Sequence, residues 1–184
     1  MNLNELEALC GKCEKCGLCR TRKNIVFGTG NPNAKLMFVG EAPGEKEDES
    51  GIPFVGPAGK LLDKYLEYVG IDRELVYIAN ILKCRPPHNR DPKPDEEDSC
   101  MDFLREQVRI IKPEIIVCLG RIAAMRLIKP DFRITREHGI RFKIGRFTMY
   151  AVYHPSALLR DPSKKGDMMR DMKEIYKTLG ELQK

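Results

Sequence analysis

The sequence predicts an α/β fold, a three-layer sandwich in which helices cover both faces of a central, mostly parallel, four-stranded sheet. Two observations lead to this prediction. Four short apolar runs have the length and composition of buried strands, and they lie at residues 35–40, 76–81, 115–120 and 147–153. Segments with apolar residues at helical spacing alternate with these runs, which is typical of a parallel sheet with helices on its faces.

The four runs also indicate where the chemistry should lie. The first three are almost wholly apolar, whereas Thr148 and Met149 interrupt the pattern of the fourth. Ligands of open α/β sheets bind beyond the carboxyl ends of the strands. We therefore expect the functional residues in the loops that follow the first, second and fourth strands, which begin at Glu41, Lys83 and His154.

Five segments are predicted to be helical. Residues 61–69 carry apolar side chains at helical spacing, and Gly70 is placed to end that helix. Asp95 is the predicted N-cap of a later helix whose apolar face includes Cys100. The other helices are expected near residues 3–9, 121–128 and 169–179. The loop at residues 83–94 contains four prolines and is predicted to form no regular element.

Length and charge place limits on the protein. Its 184 residues predict one domain spanning 1–184. The net charge of +5 favours an anionic partner only weakly. Basic residues nevertheless fall in two Pro-containing loops, namely Lys83, Arg85 and Arg90 in one and Arg160, Lys164 and Lys165 in the other. Two such loops are suited to gripping a phosphate backbone, and the alternative is an ordinary solvated surface.

The N-terminal residues predict a cytoplasmic protein with no membrane partner. They alternate apolar and acidic residues and lack the apolar stretch of a signal peptide. No run is apolar and long enough to span a bilayer. Nothing in the sequence indicates an obligate dimer, so a monomer is expected. In a reducing compartment, the seven cysteines point to metal binding rather than to disulfides.

Four cysteines are candidate metal ligands. Cys13 and Cys16 form a C-x-x-C pair in the N-terminal segment, Cys84 follows the second strand, and Cys100 lies on the apolar face of a helix. Four thiolates from separate segments are able to hold a zinc ion or an iron–sulfur cluster, and their spacing does not choose between the two.

Three other cysteines compete for these places or fall elsewhere. Cys10 and Cys19 extend the series of C-x-x-C pairs, so each is an alternative ligand. Cys118 lies within a buried strand and is interpreted as a core residue. A site at this position would tie the N-terminal segment to the Pro-rich loop, and a redox role is the competing interpretation.

Several motifs together resemble those of the family 4 uracil-DNA glycosylases. They are GEAPGE at 40–45, GIPFVG at 51–56 with AG at 58–59, KCRPPHNR at 83–90 followed by Cys100, HPSALLR at 154–160, and the cysteine pair at 13 and 16. Each motif is moderately specific, and their order along most of the chain is highly specific. The resemblance implies a uracil-DNA glycosylase-like fold with an N-terminal cluster-binding segment and a 4Fe-4S cluster held by Cys13, Cys16, Cys84 and Cys100.

The resemblance also implies an activity. It is the hydrolysis of the N-glycosidic bond of deoxyuridine in double- or single-stranded DNA, which releases uracil and leaves an abasic site for base excision repair. The enzyme would be monofunctional, because a lyase needs a pocket lysine and the two motif loops themselves offer none. The alternative candidate for such a lysine is Lys46, which an acidic run carries. The alternatives are a related glycosylase with broader base preference, a non-catalytic iron–sulfur DNA-binding module, and a cysteine-rich redox protein.

Particular residues acquire pocket roles through this resemblance. Phe54 would stack on the flipped base, and the Asn80 amide would pair with N3–H and O4 of uracil. Glu47 would crowd the 5-carbon and disfavour thymine. The backbone at Gly40, Glu41 and Ala42 would contact the base. Taken alone, Phe54 is typical of a core residue, Asn80 of a turn residue and Glu47 of a solvated acidic run.

His154 is the principal catalytic candidate. By resemblance it donates a hydrogen bond to uracil O2, where negative charge grows as the glycosidic bond breaks. Ala42 occupies the position where the best-known members of the wider superfamily carry a water-positioning Asp. Glu41 and Asn89 are therefore the candidates for orienting the attacking water.

The segment after His154 is the candidate DNA-binding loop. By resemblance Pro155, Ser156, Ala157 and Leu158 enter the minor groove and fill the space left by the flipped base. Two basic residues that follow would contact phosphates, and they are Arg160 and Lys164.

Overall fold

The computed structural model describes residues 1–182, so the last two residues of the predicted 1–184 domain lie outside the described part of the chain. A single sheet of six strands is sandwiched between helices. The strands are β1 (Thr29–Gly30), β2 (Leu36–Gly40), β3 (Val76–Asn80), β4 (Ile115–Leu119), β5 (Phe142–Ile144) and β6 (Phe147–Val152). Their order across the sheet is β1-β3-β2-β4-β6-β5.

The predicted strand count of four was too low, although all four predicted strands are present. They form the parallel centre of the sheet, β3-β2-β4-β6. The two additional strands, β1 and β5, pair antiparallel at the two edges. Strands of two and three residues are too short to produce a recognisable apolar run, and their existence depends on a partner strand.

The helices agree in position with the predicted ones and add three short segments. They are α1 (Leu3–Gly11), α2 (Glu45–Ser50), α3 (Pro57–Val69), α4 (Pro94–Ile111), α5 (Arg121–Leu127), α6 (Ile134–Glu137), α7 (Pro155–Arg160) and α8 (Lys165–Glu181). Gly70 ends α3 in the left-handed conformation, with φ of 80°, as predicted. A side chain at that φ would be strained, which explains why glycine suits the position.

Two local predictions around the Pro-rich loop were wrong. The N-cap of α4 is Lys93 rather than Asp95, because Pro94 takes the first helical position, where its missing N–H is harmless. The Glu96 carboxylate accepts a hydrogen bond from the Lys93 N–H at 2.9 Å and completes the cap. The loop also contains a short 3₁₀ turn at Pro87–Asn89.

Each face of the sheet has its own apolar core. On one face, α1 and α4 contribute residues such as Leu6 and Leu104. On the other, α3 and α8 contribute Leu62, Leu66 and Met172. Helices on both faces confirm the predicted three-layer arrangement. No helix within residues 1–182 is long and apolar enough to cross a membrane.

The sheet brings the predicted functional loops to one edge. Gly40 and Asn80 are register partners at the carboxyl ends of β2 and β3. Hydrogen bonding continues past these ends, since Ile81 N donates to Gly40 O and Leu82 N donates to Glu41 O, both at 3.0 Å. The loops after β2, β3, β4 and β6 therefore open on the same side of the molecule.

Candidate active site

A cleft of about 520 Å³ lies beyond the carboxyl ends of the parallel strands. It collects residues from four loops that are far apart in sequence. Its lining includes most of the sequence-predicted site residues: Glu41, Ala42, Glu47, Phe54, Asn80, Asn89, His154, Ser156, Ala157 and Arg160. A cleft of this size and position is typical of a ligand site in an α/β protein.

Asn80 presents an unpaired oxygen at this cleft. Its side chain is 2% exposed, and Oδ1 is the buried side-chain atom without a hydrogen-bond partner among residues 1–182. Gly40 makes room for it, because a Cβ at Gly40 would collide with Asn80 Oδ1 and lie 2.7 Å from Phe54 Cζ. A buried, unpaired acceptor is costly unless a ligand supplies the missing donor.

Phe54 and Glu47 form one wall of the cleft. Phe54 has a φ of 55°, which is unfavourable for a residue with a side chain, and such strain is common at functional sites. Its ring centroid lies 5.8 Å from that of His154. Glu47 Oε1 accepts hydrogen bonds from the N–H groups of Val55 at 3.0 Å and Gly56 at 2.9 Å. Glu47 is therefore tied to the cleft wall and is not part of a freely solvated acidic run.

His154 is held in one neutral tautomer. Its Nδ1 accepts a hydrogen bond from the Ser156 N–H at 3.1 Å, and Ser156 Oγ lies 2.6 Å from the same nitrogen. An acceptor at Nδ1 places the ring proton on Nε2. Burial, with a further contribution from Arg160, lowers the pKa of His154 to about 4. The ring therefore offers an uncharged N–H donor at neutral pH.

Glu41 lines the cleft close to the charged pair formed by Asp91 and Arg121. Burial and the neighbouring Asp91 raise the pKa of Glu41 to about 7, while Arg121 opposes that rise. Arg121 Nη2 is 3.3 Å from Asp91 Oδ2. A carboxyl group with a pKa near 7 is suited to changing its protonation state under working conditions.

Asn89 reaches the rim of the cleft from the Pro-rich loop. It is exposed and has a φ of 55°. Its Oδ1 accepts a hydrogen bond from Arg85 Nε at 2.7 Å. That oxygen keeps a second lone pair and the amide nitrogen keeps its donors, so both atoms are able to meet a ligand or water.

The candidate DNA-binding segment is a short helix, α7, rather than a loop. Ser156, Ala157 and Arg160 line the cleft. Leu158, however, is 0% exposed in the core, so it is not available to enter a groove. Leu159 is 47% exposed and is the apolar side chain that this helix turns toward solvent.

Other members of the predicted DNA surface also differ from expectation. Pro155 is buried at the start of α7. Lys164 Nζ lies 5.1 Å above the ring of Tyr153 and 3.5 Å from Asp161 Oδ2. Its charge is thus held beside the cleft wall and partly neutralised.

The first basic loop is less open than its sequence suggests. Lys83 is buried, with 1% of its surface exposed, so it does not face a phosphate backbone. Arg90 forms a two-pronged ion pair with Glu96, with distances of 2.9 and 2.6 Å. Both changes arise because α4 packs against the loop and supplies partners that the sequence alone does not identify.

Several cleft residues were missed by the sequence reasoning, namely Asp91, Arg121, Ile122 and Tyr153. Arg121 and Ile122 follow β4, whose loop was left out of the expected functional set. The sequence signal for this loop was Gly120, which directly follows β4 and has a φ of 93°. It packs closely against His154, since a Cβ at position 120 would lie 2.9 Å from His154 Cβ. The rule about strand ends applies to all four parallel strands and would have included this loop.

Six cysteines surround a second cavity on the α1 and α4 side of the sheet. They are Cys10, Cys13, Cys16, Cys19, Cys84 and Cys100. Cys118 is fully buried in β4 and apart from this group, as predicted. Burial raises the pKa of Cys10 to about 12 and that of Cys84 to about 11, so a metal would have to displace their protons.

Basic and backbone donors already point at the cysteine sulfurs. Arg22 Nη1 lies 3.4 Å from Cys84 Sγ and donates to Cys13 O at 2.8 Å. The Lys83 N–H lies 3.3 Å from Cys100 Sγ. Such donors stabilise metal-bound thiolates. No three His, Cys, Asp or Glu side chains within residues 1–182 are grouped tightly enough to hold a single metal ion.

Sequence comparisons match most of the chain to known proteins. The family model for the Uracil DNA glycosylase superfamily matches residues 27–180. A type-4 uracil-DNA glycosylase of Archaeoglobus fulgidus is 46% identical over 179 residues, covering 93% of this chain and 90% of that protein. The type-4 enzyme of Saccharolobus solfataricus is 42% identical, with 91% and 82% covered, and that of Thermotoga maritima is 45% identical, with 84% and 81% covered. The chain therefore belongs to the uracil DNA glycosylase superfamily and, within it, to the type-4 family.

Proposed function

We propose that this protein is a monofunctional uracil-DNA glycosylase that hydrolyses the N-glycosidic bond of deoxyuridine in DNA, releases uracil and leaves an abasic site for base excision repair. One observation carries the proposal at the level of the site. It is the buried, unpaired Asn80 Oδ1 facing a cleft beside an aromatic ring and a neutral histidine donor. The names of the related enzymes point to the same reaction.

Asn80 reads the edge of the base. Its Oδ1 accepts the N3–H of uracil, and its Nδ2 donates to O4. Cytosine presents the opposite pattern, with an acceptor at N3 and a donor at C4, so it would leave both amide groups mispaired. Phe54 stacks on the flipped base, which contributes about 1–3 kcal/mol. Glu47, fixed by the N–H groups of Val55 and Gly56, crowds the 5-carbon and disfavours a methyl group there.

His154 stabilises the leaving group. As the glycosidic bond breaks, the electron pair moves onto uracil, and charge accumulates at O2 and N1. The Nε2–H of His154 donates to O2, and this hydrogen bond strengthens as that charge grows. Because the ring is neutral, it keeps its proton and leaves uracil as an anion. Ser156 is the group that holds this tautomer.

Water completes the reaction at the sugar. The sugar carbon becomes strongly electrophilic once the base departs, so the reaction needs water to be placed more than activated. We propose that Glu41, as its carboxylate, orients this water, with Asn89 assisting from the rim. Ala42 has only a methyl group and offers no polar atom for that task. The backbone of Gly40, Glu41 and Ala42 contacts the base.

DNA is gripped around the mouth of the cleft. Arg160 contacts a phosphate, with Lys164 behind it, and Ser156 and Ala157 face the strand across the cleft wall. Pro155 sets the start of α7 and is not itself a contact. Leu159 takes the role first expected of Leu158 and fills the gap left by the flipped base. Uracil in double- or single-stranded DNA is the proposed substrate.

The cysteine cavity is proposed to hold a 4Fe-4S cluster. Cys13, Cys16, Cys84 and Cys100 are the proposed ligands, and the donor set fits, because cysteines from three segments line one cavity and N–H donors are directed at the sulfurs of Cys84 and Cys100. When bound, the cluster supplies a cross-link between the N-terminal segment and the loop after β3. The protein is proposed to act as one domain and a monomer, in the cytoplasm, where thiol ligands stay reduced.

The test is a labelled oligonucleotide with a single uracil, incubated with the protein and then cleaved by alkali at abasic sites. The wild-type protein should give the cut strand. Asn80→Ala should lower the single-turnover rate by about 10²-fold or more. The variant removes the amide that pairs with the base, and loss of such a hydrogen-bond partner costs orders of magnitude in kcat/KM. Asn33→Ala, an exposed asparagine outside the cleft, is the matched control and should retain the wild-type rate.

Two outcomes would contradict the proposal. One is the absence of any cut by folded protein that binds DNA, which would favour a non-catalytic DNA-binding module. The other is an unchanged rate for Asn80→Ala, which would remove this cleft from the reaction. Equal release of hypoxanthine and uracil would indicate the broader glycosylase instead.

A further inference from the structure

Lys83 is a buried lysine that lines the cysteine cavity and contacts Asn80 of the base cleft. It follows residues 81–82, whose N–H groups bond to the last residue of β2 and the residue after it, and it precedes Cys84. Its side chain folds back toward the strand end, where Nζ donates to the backbone carbonyl of Asn80 at 2.7 Å. A second donor of Nζ reaches Gln107 Oε1, also at 2.7 Å. Lys83 thus holds the backbone of Asn80, the residue that is proposed to recognise the base.

Gln107 anchors this arrangement to the body of the protein. It is fully buried on α4. Its Nε2 donates to Phe27 O at 2.8 Å and to the hydroxyl of Tyr77 at 3.2 Å. The chain of hydrogen bonds therefore runs from the Asn80 carbonyl through Lys83 into the core. A connected network of this kind holds each member more firmly than isolated bonds would.

The charge of Lys83 requires a nearby negative partner. A buried ammonium is expensive when its acceptors are neutral, and both acceptors here are neutral amide oxygens. Lys83 also lines the cysteine cavity, and its own N–H lies 3.3 Å from Cys100 Sγ. Thiolate ligands make that cavity negative when it is filled, which offsets the buried positive charge.

We propose that Lys83 is a positioning residue that couples the cysteine cavity to the base pocket, with its ammonium balanced by thiolate charge on one side and holding the Asn80 carbonyl on the other. The expected effect on uracil binding rests on the proposed function. The charge balance between Lys83 and the thiolates depends only on the presence of the cluster. Lys83 does not touch the base, so its effect reaches uracil through the orientation of Asn80.

Three variants of the cluster-loaded protein separate these effects. Lys83→Met keeps the length and apolar stem but removes the charge and both donors. Gln107→Leu leaves the charge and removes one anchor. Lys15→Met is the matched control, because Lys15 lines the same cavity but is half-exposed and paired with Asp102 at 3.6 Å. The readouts are the dissociation constant for free uracil and the midpoint potential of the cluster.

Lys83→Met should weaken uracil binding by about tenfold and make the midpoint potential more negative, because removing a nearby positive charge favours the oxidised cluster. Gln107→Leu should weaken uracil binding while the potential stays close to that of the wild type. Lys15→Met should change neither quantity appreciably, since solvent and Asp102 already screen its charge.

Particular results would overturn the inference. Folded Lys83→Met with wild-type affinity for uracil would do so, as would a potential that shifts no more than in Lys15→Met. If Lys83→Met does not fold, Gln107→Leu decides the matter, and wild-type affinity in that variant would reject the coupling. A wild-type protein that neither binds nor removes uracil would instead reject the proposed function, while the potentials would still test the charge balance.

Discussion

The base cleft and the cysteine cavity both include residues at or just after the end of β3, yet their polar atoms differ in whether they are paired. The cleft leaves Asn80 Oδ1 unpaired and keeps His154 neutral with its N–H available. The cysteine cavity has its donors engaged, with Arg22 directed at Cys84 and Cys13. A site for an exchangeable ligand keeps unpaired hydrogen-bonding groups, whereas a site for a permanently bound group has its donors already directed at the ligating atoms.

The two regions also differ in how their shape is maintained. The cleft contains backbone strain at Phe54 and Asn89, which the surrounding packing must sustain. The cysteine cavity brings together the N-terminal turn around Cys16 and the loop at Cys84, which also share an apolar cluster that includes Leu18. Damage to the cavity should therefore reduce stability first, and damage to the cleft should reduce catalysis first.

The largest expected effect is on the cavity. Cys100→Ala should abolish the iron–sulfur absorbance and lower the free energy of unfolding by about 4 kcal/mol or more, since loss of a structural metal group is among the few changes that large. Unfolding in urea of the purified variants measures this. Cys19→Ala lines the same cavity but is not a proposed ligand, and it should keep the absorbance. Loss of the cluster in Cys19→Ala with its retention in Cys100→Ala would overturn the proposed ligand set.

The next effect concerns the cleft and depends on pH. The pKa of Glu41 is about 7, so the carboxylate form is lost as the pH falls through 7. If that form orients the water, the single-turnover rate should fall about tenfold per pH unit below 7. His154 does not contribute in this range, because its pKa is about 4. The rate is measured from pH 5 to pH 9.

Glu41→Gln is the companion variant for this profile. It should remove the acid limb near pH 7 and give a nearly flat rate across the range, because an amide does not titrate there. A limb that persists unchanged in Glu41→Gln would assign the titration to another group and leave Glu41 without a role in placing water.

The smallest expected effect distinguishes two interpretations of Ser156. If Ser156 acts through His154, Ser156→Ala should lower kcat about fivefold with little change in KM, since one hydrogen bond of about 1 kcal/mol is lost while its N–H still reaches Nδ1. If Ser156 mainly contacts DNA, KM should rise instead. Ser163→Ala, an exposed serine after α7, is the control and should match the wild type. A change in KM alone would reject the tautomer role.

Local sequence patterns predict the central sheet and most residues of the cleft. Apolar runs predict the four parallel strands, because burial on both faces leaves a continuous local signal. Glycines and prolines mark the loops at the strand ends, and the motifs around Asn80 and His154 carry the chemistry in short, contiguous segments. The resemblance to the type-4 enzymes rests on those same residues, and the comparisons confirm it.

Which side chains are available to a ligand depends on tertiary packing. From the sequence, Lys83 is expected to be a surface cation, but it is buried against Gln107 of α4, which is 24 residues away in the chain. Leu158 and Leu159 are adjacent and chemically identical, yet the packing of α7 on the sheet buries the first and exposes the second. Arg121 joins the cleft because β4 is parallel to its neighbours. In each case the outcome depends on contacts between residues far apart in the chain, and local pattern contains no information about such contacts.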